Sequence, residues 1–277
     1  MEPACVFVDA GTAIFFPIDM KHLFFPEGDN ALAATMANKP LLAFDFDGTL
    51  APIVARPDDA RLSLAVARRL ARLAEVLPVA IVTGRSVEDV RSRLAFEPRF
   101  IIGNHGAEDP DAHTGAESNP ALAGIRERLA EHAQALALAG VSIEDKLCSI
   151  ALHYRLARDR QQALHLINDL LGTSDPAITV YGGKLVVNVV ASDAPDKAQA
   201  VASLVQRCGA NSLLYMGDDM NDEPVFARND PTWLTIRIGR DYPNSQARYF
   251  LDNAGEVATM LDRMITLVGE DQLHQGG

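Results

Sequence analysis

LLAFDFDGTL, Leu41 to Leu50, is an apolar run that ends in two aspartates one residue apart and then Gly48 and Thr49. A short apolar run closed by a glycine turn reads as a buried strand. On a strand, Asp45 and Asp47 would leave the same face, because side chains alternate with period two. At the strand's C-terminal end that face opens on the crevice where open parallel sheets bind ligands. Two unit charges about 4 Å apart repel by roughly 4 kcal/mol at an effective dielectric near 20. A divalent cation with oxygen ligands is the usual compensation. An isolated Asp-Gly is only a turn after a core strand; DxDGT on an apolar run points to a charged site.

Downstream, Ala51 to Ser63 holds two prolines and an Asp-Asp pair, a loop that ends in a helix start. Leu62, Val66, Leu70, Leu73 and Leu77 then recur at helical spacing. Val79 to Val82 reads as a second strand, ending in Thr83-Gly84-Arg85, and Ser86 can cap the next helix. Strand, helix, strand, small polar turn, helix is the βαβ pattern of a parallel sheet. A third strand, Phe100 to Ile102, ends in GNHGAE, Gly103 to Glu108, which places His105 between glycines at a strand's C-terminal end.

The alternation then breaks. A polar segment, a helical stretch from Leu122 to Leu138, strand-like runs at 141–146 and 149–156, a helix at 159–171 and strands at 178–181 and 184–190 form an α+β pattern. It reads as an inserted domain. Its strands carry Lys146, His153, Arg155 and Lys184, with His153 and Arg155 two apart and so on one face. These residues are either a solvated basic sheet edge or a cationic patch for an anionic substrate. The overall charge of -12 favours the patch. The core pattern resumes with Lys197 opening a helix and with a strand at 212–216 that ends in GDDMNDE. Four acids in six positions, directly after a strand in a sheet that already displays Asp45 and Asp47, read as the rest of a metal site.

A carboxylate nucleophile beside a cation suits phosphoryl transfer through an aspartyl-phosphate. Lys197 and Mg²⁺ would serve the phosphate, and Asp47 is placed to protonate the leaving oxygen and then to activate water. With these residues in order, the chain resembles the haloacid dehalogenase superfamily of phosphohydrolases: DFDGT, VTGR, Lys197 and GDDMND stand where its four motifs do. Within it, GNHGAE, DKLCSIALHYR (Asp145 to Arg155), GGKLVVN (Gly182 to Asn188) and the GDDxxDE form resemble the trehalose-6-phosphate phosphatase branch. The resemblance covers roughly residues 40 to 265.

It implies an α/β fold, a Rossmann-like parallel-sheet core with an inserted α+β cap. The core would span 39–108 and 192–277 and the cap 109–191, preceded by an N-terminal extension, 1–38. It also implies Asp45 as nucleophile and Asp47 as acid/base. Thr83, Gly84, Arg85 and Lys197 would bind phosphate. Asn104, His105, Glu108, Lys146, His153, Arg155, Lys184 and Asn188 would bind substrate, and Asp45, Asp47, Asp218 and Asp222 would hold Mg²⁺. The chain departs from the family pattern at Asn188, where a glutamate is usual, at Ala198, where glycine is usual, and at Asn221, where threonine is commoner. The competing readings are a phosphatase for sucrose or glucosylglycerol phosphate and a non-catalytic sugar-phosphate sensor.

Composition sets the remaining bounds. Of 277 residues, 48% are hydrophobic and 22% charged, an ordinary globular balance. The negative net charge argues against a nucleic-acid surface. Cys5, Cys148 and Cys208 show neither disulfide nor zinc spacing. No apolar stretch reaches 18 residues and no signal peptide is legible, so a reduced, cytoplasmic protein is expected, with a small sugar phosphate as its partner and no membrane. A monomer is expected, with a functional link to a trehalose-phosphate synthase as a further expectation. Residues 30–38 read as a linker, Met36 as an alternative start, and Val6 to Phe16 as a strand-like imitation of the opening motif.

Overall fold

The computed structural model describes residues 20–274 apart from Ala55, 112–119, Leu147, 173–174 and Lys184. The strand-like stretch 6–16 and the substrate candidate Lys184 therefore lie outside the described residues. The first part of the core runs β1 (Lys21–His22), α1 (Pro26–Ala37), β2 (Leu41–Phe44), α2 (Leu64–Ala74), β3 (Val79–Val82), α3 (Val87–Arg91) and β4 (Phe100–Ile102). Next come α4 (Ala123–Glu131), α5 (Ala133–Leu138), β5 (Ser142–Asp145), β6 (Ser149–His153), α6 (Arg160–Leu171), β7 (Ile178–Gly183) and β8 (Val186–Ala191). The chain closes with α7 (Lys197–Cys208), β9 (Leu213–Gly217), α8 (Glu223–Phe226), β10 (Trp233–Ile238), β11 (Tyr249–Leu251) and α9 (Gly255–His274).

Seven parallel strands in the order β1-β11-β10-β9-β2-β3-β4 form the main sheet. Its central strands are apolar at every position because helices cover both faces. Leu42, Phe44, Ile81 and Met216 pack with Leu32 of α1, Leu70 of α2 and Leu261 of α9. Leu41, Ala43, Val82 and Tyr215 pack with Val201 and Leu204 of α7 and Phe226 of α8. Helix starts follow local chemistry. Ser63 and Ser86 accept from the main-chain N–H three residues on. Asp196 and Gln199 form a capping box at α7. No described helix is long and apolar enough to cross a membrane.

The second sheet, β5-β6-β8-β7, is antiparallel. Ile150, Leu152, Val187 and Val189 face Leu129, Leu136 and Ile167 of its helices. The alternate residues, among them Ala151, His153, Val186 and Asn188, line a cleft against the main sheet's C-terminal edge. β6, which ends in His153, lies inside this sheet, so the reading of a protected edge does not apply to it, whereas Lys146 directly follows the edge strand β5. His153 and Arg155 do not share a strand face either: β6 ends at His153, and Arg155 sits in the turn beyond.

The linker reading of 30–38 is overturned. These residues belong to α1 and the turn after it, and Leu32 and Met36 are buried in the main core. The helix was hard to read because its inward face is built of Gly28, Leu32 and Met36 among alanines, a weak apolar stripe. Gly28 is required there, since a Cβ would stand 2.2 Å from the Leu23 carbonyl oxygen. A chain begun at Met36 would lack most of α1 and its buried Leu32. Deleting residues 1–35 should abolish the cooperative melt. Leu32→Ala should lower the unfolding free energy by about 2–5 kcal/mol, as read by urea denaturation. A loss under about 0.5 kcal/mol would mean that α1 is not part of the cooperative core.

Candidate active site

Polar residues converge at the C-terminal ends of four neighbouring strands. Asp45 follows β2, Thr83 follows β3, His105 follows β4 and Asp218 follows β9. Strand β2 ends at Phe44, so Asp45 and Asp47 do not share a strand face as the spacing predicts. Asp45 turns inward and is 5% exposed. Asp47 turns toward the cleft, and its side chain is 42% exposed.

Inward, Lys197 Nζ donates to Asp45 Oδ1 at 2.9 Å and to Asp222 Oδ1 at 2.7 Å. Asp222 also accepts from the Tyr215 hydroxyl at 2.6 Å and from the main-chain N–H groups of Asp218 and Asp219 at 2.9 and 3.0 Å. Four donors fill the acceptor capacity of one carboxylate. Asp222 thus acts as a fixed counter-charge rather than an open ligand. Carboxylate oxygens of Asp45, Asp218 and Asp222 lie within 4.8 Å of one another, and all three residues are buried. The Asp47 carboxylate is not in this group. Gly48 makes room for the cluster: its φ is +82°, and a Cβ there would stand 2.1 Å from an Asp218 carboxylate oxygen. The other two acids of the GDDMNDE run are structural. Asp219 caps its own turn, and Glu223 pairs with Arg237 at 3.1 Å and accepts from Gln246 N–H at 2.9 Å.

The electrostatics follow from burial. Desolvation pushes the Asp45 carboxyl well above the usual range, and Asp222 and Asp218 add to the rise while Lys197 opposes it. For Lys197, burial disfavours the charge, but Asp222 and Asp45 outweigh it and hold the ammonium above its ordinary value. Burial and the same carboxylates keep the Tyr215 phenol protonated, as a donor. With all three carboxylates ionised, Lys197 leaves a surplus of two negative charges. The donors are hard oxygens, without thiolate or imidazole, which fits a hard divalent cation.

On the cleft side, Arg85 is held by two carboxylates. Its Nε and Nη2 pair with both Asp47 oxygens at 2.6 and 2.7 Å, and its Nη1 with Asp89 at 2.8 Å. Thr83 is buried, and its hydroxyl accepts from Arg85 N–H at 3.2 Å. Gly84 is packed under the His105 ring, where a Cβ would stand 2.3 Å from Cε1. His105 has φ of +59°, an Nδ1 without a hydrogen-bond partner, and a pKa driven well below its ordinary value by burial, Lys197 and Lys146. It is a neutral imidazole at the cleft. Asn104 and Glu108 behave differently: they bond to each other at 2.7 Å, Glu108 accepts from Val87 N–H, and neither lines the cleft. They brace the loop instead.

From the second sheet's side, Lys146 Nζ donates to the Gly84 carbonyl at 2.6 Å and Arg155 Nη1 to the Val54 carbonyl at 2.7 Å. His153 meets Glu144 at 2.8 Å. Asn188 is 5% exposed and borders the same cleft of about 350 Å³. Sequence reasoning missed Tyr215, Glu144, Asp89 and Arg93. Asp89 and Arg93 carry a legible signal, since they follow Arg85 at steps of four with alternating charge. Tyr215 carries only its place two residues before the strand-ending Gly217.

Because the folded Asp45 carboxyl titrates above its unfolded value, its ionised form costs stability. The cost is absent below the unfolded pKa and grows as pH rises through the folded one. Without metal, Asp45→Asn should therefore melt at or above the wild-type temperature, with the gap widening as pH climbs. Melting curves in EDTA across pH 4–9 check this; a variant that melts lower throughout would show that the pair with Lys197 dominates.

Comparison with known proteins matches residues 43–253 to the trehalose-phosphatase family model. A protein described as an uncharacterized glycosyl hydrolase of Mycobacterium tuberculosis is 35% identical over 201 residues, covering 68% of this chain and 15% of that protein. The trehalose-phosphate phosphatase of Mycobacterium avium is 32% identical over 256 residues, covering 86% of this chain and 63% of that one. The chain thus spans less than two thirds of the length of either relative. The C-terminal domain of the C. albicans trehalose-6-phosphate phosphatase shares the fold at TM-score 0.72 and 20% identity, covering 89% of this chain and 98% of that one. The family match takes in all four acid, threonine and lysine motifs whose side chains meet at the strand ends, and on it the chain belongs to the trehalose-phosphatase family.

Proposed function

We propose that the protein is a Mg²⁺-dependent phosphatase that hydrolyses trehalose 6-phosphate to trehalose and phosphate through an aspartyl-phosphate on Asp45. The observation that carries this reading is the buried Asp45–Lys197–Asp222 triad at the floor of a cleft whose opposite wall bears Lys146, His153 and Asn188. An Asp45 carboxylate oxygen forms the new bond to phosphorus as the ester oxygen leaves, and Asp47 supplies the proton that oxygen needs. Asp47 then takes a proton from water, whose oxygen attacks phosphorus, releases phosphate and restores Asp45. Lys197 and the Thr83 hydroxyl hold phosphoryl oxygens and neutralise their charge. Asp45, Asp218 and the Asp47 carbonyl would hold the metal, with Asp222 fixed behind them; when bound, it offsets the surplus carboxylate charge and polarises the phosphoryl group.

In this reading residues 109–191 are a cap inserted into the core of 39–108 and 192–277, and its cleft face grips the sugar. Lys146 has the strongest claim to a substrate role. It is a buried ammonium whose pKa burial lowers, held over the phosphate loop by the Gly84 carbonyl. Asn188 favours a second reading, another glucosyl phosphate. It offers a neutral amide where the family usually has a carboxylate, and charged hydrogen bonds are roughly twice as strong as neutral ones. The sensor reading is disfavoured, because every carboxylate of the reaction stands in place.

Phosphate release from trehalose, sucrose and glucose 6-phosphates, with Mg²⁺ or with EDTA, tests the proposal. Trehalose 6-phosphate should be preferred, EDTA should abolish turnover, and Asp45→Asn should be inactive. Full turnover after exhaustive chelation would remove the metal from the mechanism. Lys146→Ala and His153→Ala should lower kcat/KM on the disaccharide phosphate at least tenfold more than on 4-nitrophenyl phosphate, since remote binding energy positions only the larger substrate. Equal losses would assign these residues to folding. Asn188→Glu should raise the preference for trehalose 6-phosphate by roughly tenfold, about the worth of one charged hydrogen bond. An equal fall on all three sugars would show that Asn188 is no sugar contact.

A further inference from the structure

Asp47 is the exposed member of the catalytic pair, yet neither of its oxygens is free. Arg85 occupies both, and its remaining Nη1 turns to Asp89 Oδ2 at 2.8 Å. Asp89 in turn accepts from Arg93 Nε at 3.0 and 2.9 Å and from Arg93 Nη2. Arg93 is buried and anchored by its Nη1 on the Asp58 carbonyl at 2.8 Å. Asp47, Arg85, Asp89 and Arg93 thus form a row of alternating charge along the cleft wall, ending at the main chain of the turn that carries Asp58. Burial alone would raise the Asp89 carboxyl, but Arg93 and Arg85 outweigh it and hold Asp89 ionised below its ordinary value.

The row bears on proton transfer. A bidentate guanidinium suits an ionised carboxylate and leaves no oxygen free to carry a proton to a leaving group. For acid duty, Arg85 must yield one Asp47 oxygen while Asp47 keeps its orientation. A half-released, largely buried guanidinium with no other acceptor would be costly. Asp89 is that acceptor. We propose that Asp89, braced by Arg93, is a positioning residue for Asp47: it shares Arg85 with the acid/base and so sets how firmly that carboxylate is clamped. The proposal rests on the phosphatase reading above.

Leaving-group dependence tests it. A sugar alkoxide needs a proton to depart, whereas 4-nitrophenolate does not. Asp89→Asn should lower kcat on trehalose 6-phosphate, or on whichever sugar phosphate of the panel is turned over fastest, by about tenfold or more, a fraction of the ~10²–10⁴ that general acid–base catalysis supplies. KM should stay within about threefold, and kcat/KM on 4-nitrophenyl phosphate should fall by less than about threefold. Arg85→Lys combined with Asp89→Asn should be no slower than Arg85→Lys alone within about twofold, because both act through one path. Equal losses on the two substrates, no loss on either, or additive effects would each overturn the positioning role while leaving the phosphatase reading intact. A wild-type chain that releases phosphate from neither substrate overturns that reading and this proposal with it. If Asp89→Asn does not fold, Arg93→Lys should show the same selectivity; losses in Arg93→Lys that ignore the leaving group would overturn the proposal.

Discussion

The structure depends on one buried ammonium. Lys197 bridges Asp45 and Asp222 in a place where none of the three meets bulk solvent. Burying such charges costs several kcal/mol each unless geometry and extra hydrogen bonds compensate. The compensation is specific. Asp222 takes four donors, two of them main-chain N–H groups of the turn that also carries Asp218. Asp45 takes fewer, and its carboxyl is the one driven upward. The site therefore divides its carboxylates into one that is saturated and fixed and one that is underserved and available. That division is what a nucleophile beside a structural counter-charge requires.

The fold supplies this arrangement because its parallel strands all end on one edge. Turns after β2, β3, β4 and β9 bring short polar side chains to one place, and α7 starts there with Lys197 as its first residue. A lysine at a helix N-terminus faces the positive end of the dipole; Asp45 and Asp222 offset that. Close approach demands glycine at Gly48 and Gly217, where a Cβ would enter the Asp218 and Asp222 carboxylates. The second sheet contributes a wall of opposite character. Lys146, His153 and Arg155 border the cleft, but Glu144 meets His153, and main-chain carbonyls of the core accept from Lys146 and Arg155. The Lys146 and Arg155 bonds also join the second sheet's side of the cleft to the core.

The same logic separates structural from functional polar residues. Glu223 pairs with Arg237 and accepts from Gln246 N–H, while Asn104 and Glu108 bond to each other and Glu108 accepts from Val87 N–H. His105 Nδ1 and the Tyr181 hydroxyl are buried with no partner, and their rings meet edge to face beside the cleft.

The sequence by itself determined the parallel core and the motif-bearing turns. Apolar runs such as 79–82 and 100–102 match their strands residue for residue, because strands buried on both faces need no alternation and leave a continuous signal, whereas β2 stops at Phe44, before the two aspartates. Ser86 was legible as a cap, and Ser63 and Lys197 as helix starts, because these signals are local. Tertiary structure alone decided that α1 belongs to the core, since its stripe of Gly28, Leu32 and Met36 has meaning only against α9 and the sheet. It alone decided that Arg85 pairs with Asp47 and Asp89, that Asn104 and Glu108 bond to each other away from the cleft lining, and that Tyr215 serves Asp222. Spacing along a chain fixes which residues can share a face; it carries no information about which of several competing charges lies nearest, and that distance sets each group's role.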